Sequence, residues 1–210
     1  MLVVCVTGAF VTVKLGGLWM DWHIRLGLCT LGLILFRLIW GLIGPHYARF
    51  TQFISGPRGV WRYITSKSSH IAGHSPLGAV SVIALLACFG FQAFSGLFAN
   101  DDVLSSGPLA FLSEDWSASL TRLHKLNQWV LIVLAAIHVA AILWYRYARH
   151  NDLIGPMIHG DIRVPDAAAG RIETVQDSWP LRLKALGLAT IIAVGIWWLT
   201  TLAPAGESFY

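Results

Sequence analysis

The sequence predicts an all-α integral membrane protein: a four-helix bundle followed by a fifth transmembrane helix. Three observations carry this. Of 210 residues, 56% are hydrophobic and only 12% are charged, with a mean hydropathy of +0.63. Four apolar runs, at about 24–43, 77–98, 126–145 and 183–203, can each cross a hydrocarbon core of roughly 30 Å. The charged residues sort by loop, basic in some and acidic in another, as membrane topology requires.

The run at the start, Met1 to Val13, reaches only about 20 Å as a helix. It reads as the second half of a helix, so the first helix is expected to be truncated. It has no basic leader and no small-residue cleavage motif, which argues against a cleavable signal peptide. The 44–76 loop carries Arg49, Arg58, Arg62 and Lys67 and no acid, whereas the 99–122 loop carries Asp101, Asp102, Glu114 and Asp115 against Arg122. Arg146 and Arg149 follow the fourth run. The positive-inside rule then places 44–76 and 146–182 in the cytoplasm, 99–122 outside, and the N-terminus of this multi-pass chain in the cytoplasm. Within the first basic loop, "GPRGVWRYITSK" has the pattern of a short interfacial helix with Trp61 and Tyr63 at headgroup level. Residues 160–180 are polar and lead to the last run. The domain division expected is a bundle over 1–163, a cytoplasmic linker over 164–182 and a C-terminal helix over 183–203.

A pI near 9.2 does not point to nucleic acid, because the basic residues sit in loops where topology explains them. Cys5, Cys29 and Cys88 are widely spaced in apolar stretches. No C-x-x-C-H or C-x-x-C spacing exists for covalent haem or thiolate metal binding. They read as packing residues.

The histidines are more informative. His23 opens the second run in "MDWHIRLGLC" and His124 opens the fourth in "LTRLHKLN". Both runs cross in the same direction, so the two imidazoles lie at matched depth near the outer rim. Two imidazoles at one depth on neighbouring helices fit the two axial positions of a b-type haem, whose apolar faces need aliphatic surroundings. Fourteen residues further on stand His138, from His124, and Arg37, from His23. In a bundle wound to about 3.5 residues per turn, His124 and His138 share a face, which gives two stacked sites. Arg37, level with His138, either holds a haem propionate through its fork or snorkels to the inner surface. His138 is flanked by "LAAI" and "VAAIL"; it ligates a metal or bonds another helix.

The remaining residues divide more evenly. His74, beside Pro76 at the inner start of the third run, contacts a propionate or quinone or is an interfacial histidine. Gln92 and Ser95 line a haem edge or make interhelical hydrogen bonds. Trp22, Trp40, Trp129 and Trp144 form an aromatic belt. His46, His70, His150 and His159 are loop histidines.

Taken together, "WHIRLGLCTLGLILFRLIWG", "GHSPLGAVSVIALLACFGFQAFSG" and "LHKLNQWVLIVLAAIHVAAILWYRY", with "PMIHG" after them, resemble the bacterial cytochrome b561 family, which includes the cytochrome b subunits of nickel–iron hydrogenases. The resemblance covers roughly 1–163. It implies a haem-binding four-helix bundle with two b haems: an outer one on His23 and His124, and an inner one on His138 and a first-helix histidine. The first run here has no histidine, and the family's "R-x-x-H-W"-like stretch belongs upstream of it. One or two haems are therefore expected. The resemblance further implies an electron-transfer subunit of an oxidoreductase complex in the bacterial inner membrane. Such a subunit moves electrons between the quinone pool and a redox partner, a periplasmic cytochrome c or a dehydrogenase or hydrogenase subunit. The alternatives are a stand-alone superoxide or ferric reductase and, against the absence of Asp and Glu in the spans, a proton-relaying transporter or scaffold.

Overall fold

The computed structural model describes residues 1–54, 56–65, 76–101, 105–150, 154–155 and 178–202. The elements are α1 (Leu2–Leu15), α2 (Met20–Ile43), the single-turn α3 (Phe50–Phe53), α4 (Pro57–Thr65), α5 (Pro76–Gly96), α6 (Glu114–Ala148) and α7 (Trp179–Thr200). Four helices are long and apolar enough to cross a membrane: α2 with the turn that precedes it, α5, α6 and α7. The chain is a multi-pass, all-α membrane protein. α1 is apolar but shorter, with 14 residues, or about 21 Å.

Local chemistry explains the helix ends. Gly16 and Gly17 have φ of +65° and +54°, a backbone state that side chains resist, and they turn α1 back onto α2. The resulting register sets Cys5 against Cys29, with sulfurs 3.4 Å apart. α2 stops where Gly44 N–H bonds the Trp40 carbonyl at 2.9 Å and Pro45 follows, since proline cannot continue a helix. α5 starts on Pro76, a favoured first position. Its outer end tightens into i→i+3 bonds from Leu97, Phe98 and Ala99, which satisfy carbonyls the helix leaves open. Ser113 caps α6 by accepting from Trp116 N–H, with Glu114 and Asp115 in the first turn, where acids suit the helix dipole.

That cap changes one boundary. The 99–122 segment was expected to be loop, but α6 begins at Glu114 and runs 35 residues, or about 52 Å. Its first ten or so residues extend beyond a hydrocarbon core of roughly 30 Å. α4 forms in the basic loop as expected, with Trp61 exposed and the Tyr63 hydroxyl 3.2 Å from that of Tyr145. α7 begins at Trp179, inside the stretch expected as linker; residues 156–177 lie outside those described.

The helices pack in an open row: α1 on α2, α2 on α5, α5 on α6, with α7 on the other side of α2. Small residues permit the close approaches, as in other membrane bundles. Gly90 faces Ile34, which is only 1% exposed, and Gly32 faces Ile192 and Ile196 of α7. A buried cluster, Leu31, Ala93, Leu97 and Phe98, lies toward the C-terminal end of α5. At the other end the Phe50 ring occupies the space a side chain on Gly41 would need. Gly41→Ala should therefore displace Phe50 and lower stability by about 1–3 kcal/mol, read as a drop in the thermal unfolding midpoint in detergent. An unchanged midpoint would show that this contact contributes nothing.

Candidate functional site

His23 lies in the first turn of α2 and His124 in α6, and the two rings face each other with centroids 6.2 Å apart and planes at 89°. A metal–imidazole nitrogen bond is about 2 Å and the ring centre lies about 1 Å further back, so two imidazoles on opposite sides of one metal have centroids about 6 Å apart. The depth matching thus brings together the pair it selected, at the separation a bis-imidazole site needs.

The other ring nitrogens are already engaged. His23 Nδ1 lies 2.8 Å from the Ala9 carbonyl of α1, and His124 Nδ1 lies 2.9 Å from the Gln92 carbonyl of α5. A carbonyl only accepts, so each Nδ1 carries the hydrogen and each Nε2 presents a lone pair. This outer support is what metal-ligating histidines ordinarily have. Both acceptor carbonyls also lie beside a hydroxyl three residues on: Thr12 Oγ1 is shared between the Gly8 carbonyl at 2.8 Å and the Ala9 carbonyl at 3.0 Å, and Ser95 Oγ donates to Gln92 at 3.1 Å. Thr12 and Ser95 are buried, Ser95 completely.

The Gln92 side chain completes the network around His124. Its amide nitrogen donates toward His124 Nε2 at 3.1 Å and to the His124 carbonyl at 3.2 Å. Its amide oxygen accepts from Asn127 Nδ2 at 2.8 Å, which also donates to the Cys88 carbonyl at 3.0 Å. A ligand for Nε2 displaces only this neutral amide. Gly96 leaves the ring its place, since a Cβ there would come 3.1 Å from His124 Cε1.

Beside the rings lies a cavity of about 500 Å³ bounded by α1, α2, α5 and α6. Ile24, Leu28, Phe89, Ala93 and Leu131 give it apolar walls, and Asn100, Asp101 and Lys125 add polar groups at one end of its lining. Among the described residues no three His, Cys, Asp or Glu side chains converge, so a metal held by this pair takes its other ligands from a non-protein group. A porphyrin supplies four such ligands and is flat and apolar on both faces. Paired Nε2 lone pairs and an apolar cavity with polar groups at one end together fit haem b, with His23 and His124 as the residues that would hold it.

The other expected site residues stand apart from this pair. His138 Nδ1 lies 2.9 Å from Ser81 Oγ of α5, an interhelical bond. Arg37 donates to the Ala48 carbonyl at 3.0 Å and lies over the Phe50 ring at 4.7 Å and the Phe53 ring at 5.9 Å. Its guanidinium thus reaches the backbone and rings of the segment that follows α2. His74 lies outside the described residues. Gln92 both lines the cavity and hydrogen-bonds across to α6, and Ser95 Oγ lies 3.2 Å from His124 Nδ1. The Ala9 carbonyl, Thr12, Gly96 and Asn127 were not anticipated; of these, Asn127, a polar side chain within an apolar run, was the one visible signal.

A family model described as prokaryotic cytochrome b561 matches residues 1–160. No curated protein and no solved structure matches the chain. With that match over most of its length, four membrane-crossing helices and a facing pair of histidines, the chain belongs to the prokaryotic cytochrome b561 family, and it is a membrane b-type cytochrome of electron transfer.

Proposed function

We propose that His23 and His124 would hold one tightly bound haem b near the outer surface. Through it the protein passes electrons between the quinone pool and a redox partner, a periplasmic cytochrome c or a dehydrogenase or hydrogenase subunit. The observation that carries this reading is the 6.2 Å ring separation with both Nδ1–H groups held by carbonyls. Bound haem supplies one-electron chemistry and no bond making. The chain's own part is to fix both imidazole tautomers, to hold the rings at ligating distance and to keep the cavity walls apolar. A dry site and constrained axial ligands are the protein's means of setting a haem potential.

At His138 we propose at most a weaker second site. Ring-to-ring contact between imidazoles is seen, among the described residues, for His23 and His124, whereas His138 bonds Ser81. Arg37 spends its Nη1 on the Ala48 carbonyl and keeps further N–H donors that could serve a propionate there. The acidic outer loop, with Asp101 in the cavity lining, suits a basic partner.

His23→Ala and His124→Ala, each purified from membranes, should lose the low-spin bis-histidine absorption and about one haem per chain. Retention of the full reduced-minus-oxidised spectrum in both variants would show that the pairing is wrong. Gly96→Val leaves both ligands in place but pushes on the His124 ring. It should lower bound haem per chain, and normal loading with an unshifted spectrum would remove Gly96 from the site.

Orientation follows the charge distribution: N-terminus in the cytoplasm of a bacterium, protein in the inner membrane. In a background with Cys5, Cys29 and Cys88 replaced, a cysteine at Ser119 should react with an impermeant maleimide in intact cells, and one at Thr65 only after lysis. The reverse pattern would exchange the two faces.

A further inference from the structure

A second cavity, also about 500 Å³, opens between α2 and α7 at the end of the bundle opposite the histidine pair. The two helices touch at Gly32, where Ile192 and Ile196 fill the space a side chain would occupy. Toward the basic loop they leave a wedge bounded by Trp40, Ile43, Leu188 and Ile191. At its rim stand two cations, Arg49 and Lys184. Arg49 is held there by the bond from its Nε to the Gly44 carbonyl, 2.7 Å long, which also covers a C-terminal carbonyl of α2. Lys184 has no hydrogen bond or ion pair with another described residue. Among the described residues no acid lines the wedge.

We infer that this wedge binds an anionic phospholipid, with Arg49 and Lys184 on the phosphodiester and the upper part of an acyl chain along Gly187 and Ile191. Three features select that occupant. The wedge narrows toward the Gly32 contact and includes Trp40 near the end of α2, a residue type enriched at headgroup depth. Its walls are apolar and its rim is cationic, matching a lipid's own division into tail and phosphate. Basic pockets between transmembrane helices take anionic headgroups, and zwitterionic lipid offers them no net charge. The inference stands apart from the haem reading, because no residue of the histidine site lines the wedge.

The test uses the full-length protein, delipidated in detergent, titrated with phosphatidylglycerol, with phosphatidylcholine of the same chains, or with inorganic phosphate, and examined by native mass spectrometry. One phosphatidylglycerol per chain should bind at lower concentration than phosphatidylcholine. Lys184→Gln should weaken phosphatidylglycerol about fivefold, the factor that one juxtamembrane cation contributes, and leave phosphatidylcholine unchanged. Lys184→Arg should keep wild-type binding. Lys184 is a surface residue, and circular dichroism checks that its variants fold. Equal binding of the two lipids, a Lys184→Gln protein indistinguishable from wild type, or displacement of the lipid by equimolar phosphate would overturn the inference. So would a second copy of the chain covering Lys184, seen as a dimer that excludes the lipid.

Discussion

Each imidazole of the facing pair is tethered to a carbonyl on the other helix of its own hairpin: His23 of α2 to Ala9 of α1, His124 of α6 to Gln92 of α5. This double tether is the constraint on which the site depends. A histidine in lipid is costly unless its polar atoms are engaged, and a backbone carbonyl is the acceptor that no mutation removes. The tether fixes the tautomer and leaves the second nitrogen of each ring with its lone pair. The hydroxyls of Thr12 and Ser95 then lie beside the same two carbonyls from the helix side. The two halves of the site are built alike on hairpins that share no sequence motif.

Much of this was legible in the sequence, for a reason that also marks its limit. Hydropathy locates where a helix enters the bilayer, so counting from the apolar boundary measures depth. That is why His23 and His124 could be matched although His23 is in the first turn of its helix and His124 lies well inside α6, which starts at Glu114. The charged outer stretch of α6 looked like loop because it is polar, yet Ser113 and the acids after it begin a helix there. Depth survived that error because the bilayer sets it, not the helix end. The tethers were illegible for a different reason. A carbonyl acceptor can belong to any residue, so nothing in "GAF" marks Ala9, and the Gly16–Gly17 turn sets the register that brings it to His23.

The inner half of the bundle shows where residue type alone leaves two outcomes open. Arg37 is near enough to the inner surface for its long side chain to reach loop backbone. The loop meets it: Phe50 folds over Gly41 and stacks on the guanidinium. The loop contact rests on the path of residues 44–53, which turns on Pro45 and on the absence of a side chain at Gly41. His138 faced a similar choice, and Ser81 supplies the helix-to-helix bond that its alanine-rich surroundings do not.

The open row of helices gives the facing pair a structural meaning as well as a chemical one. α1 packs on α2 and α5 on α6, and α2 on α5 joins the two hairpins. No extended α1–α6 contact closes the ring, and the cavity bounded by all four helices lies beside the histidines. Lipid-facing helices gain little by simply pressing together, because tails are as apolar as leucine. A ligand held by His23 on one hairpin and His124 on the other would span that gap and couple the two hairpins. Binding free energy of that kind is folding free energy when the site exists only in the assembled bundle. The same two residues that would carry the redox centre would then also close the four-helix bundle, so the polarity buried at His23 and His124 serves the fold only through the cofactor it is shaped to hold.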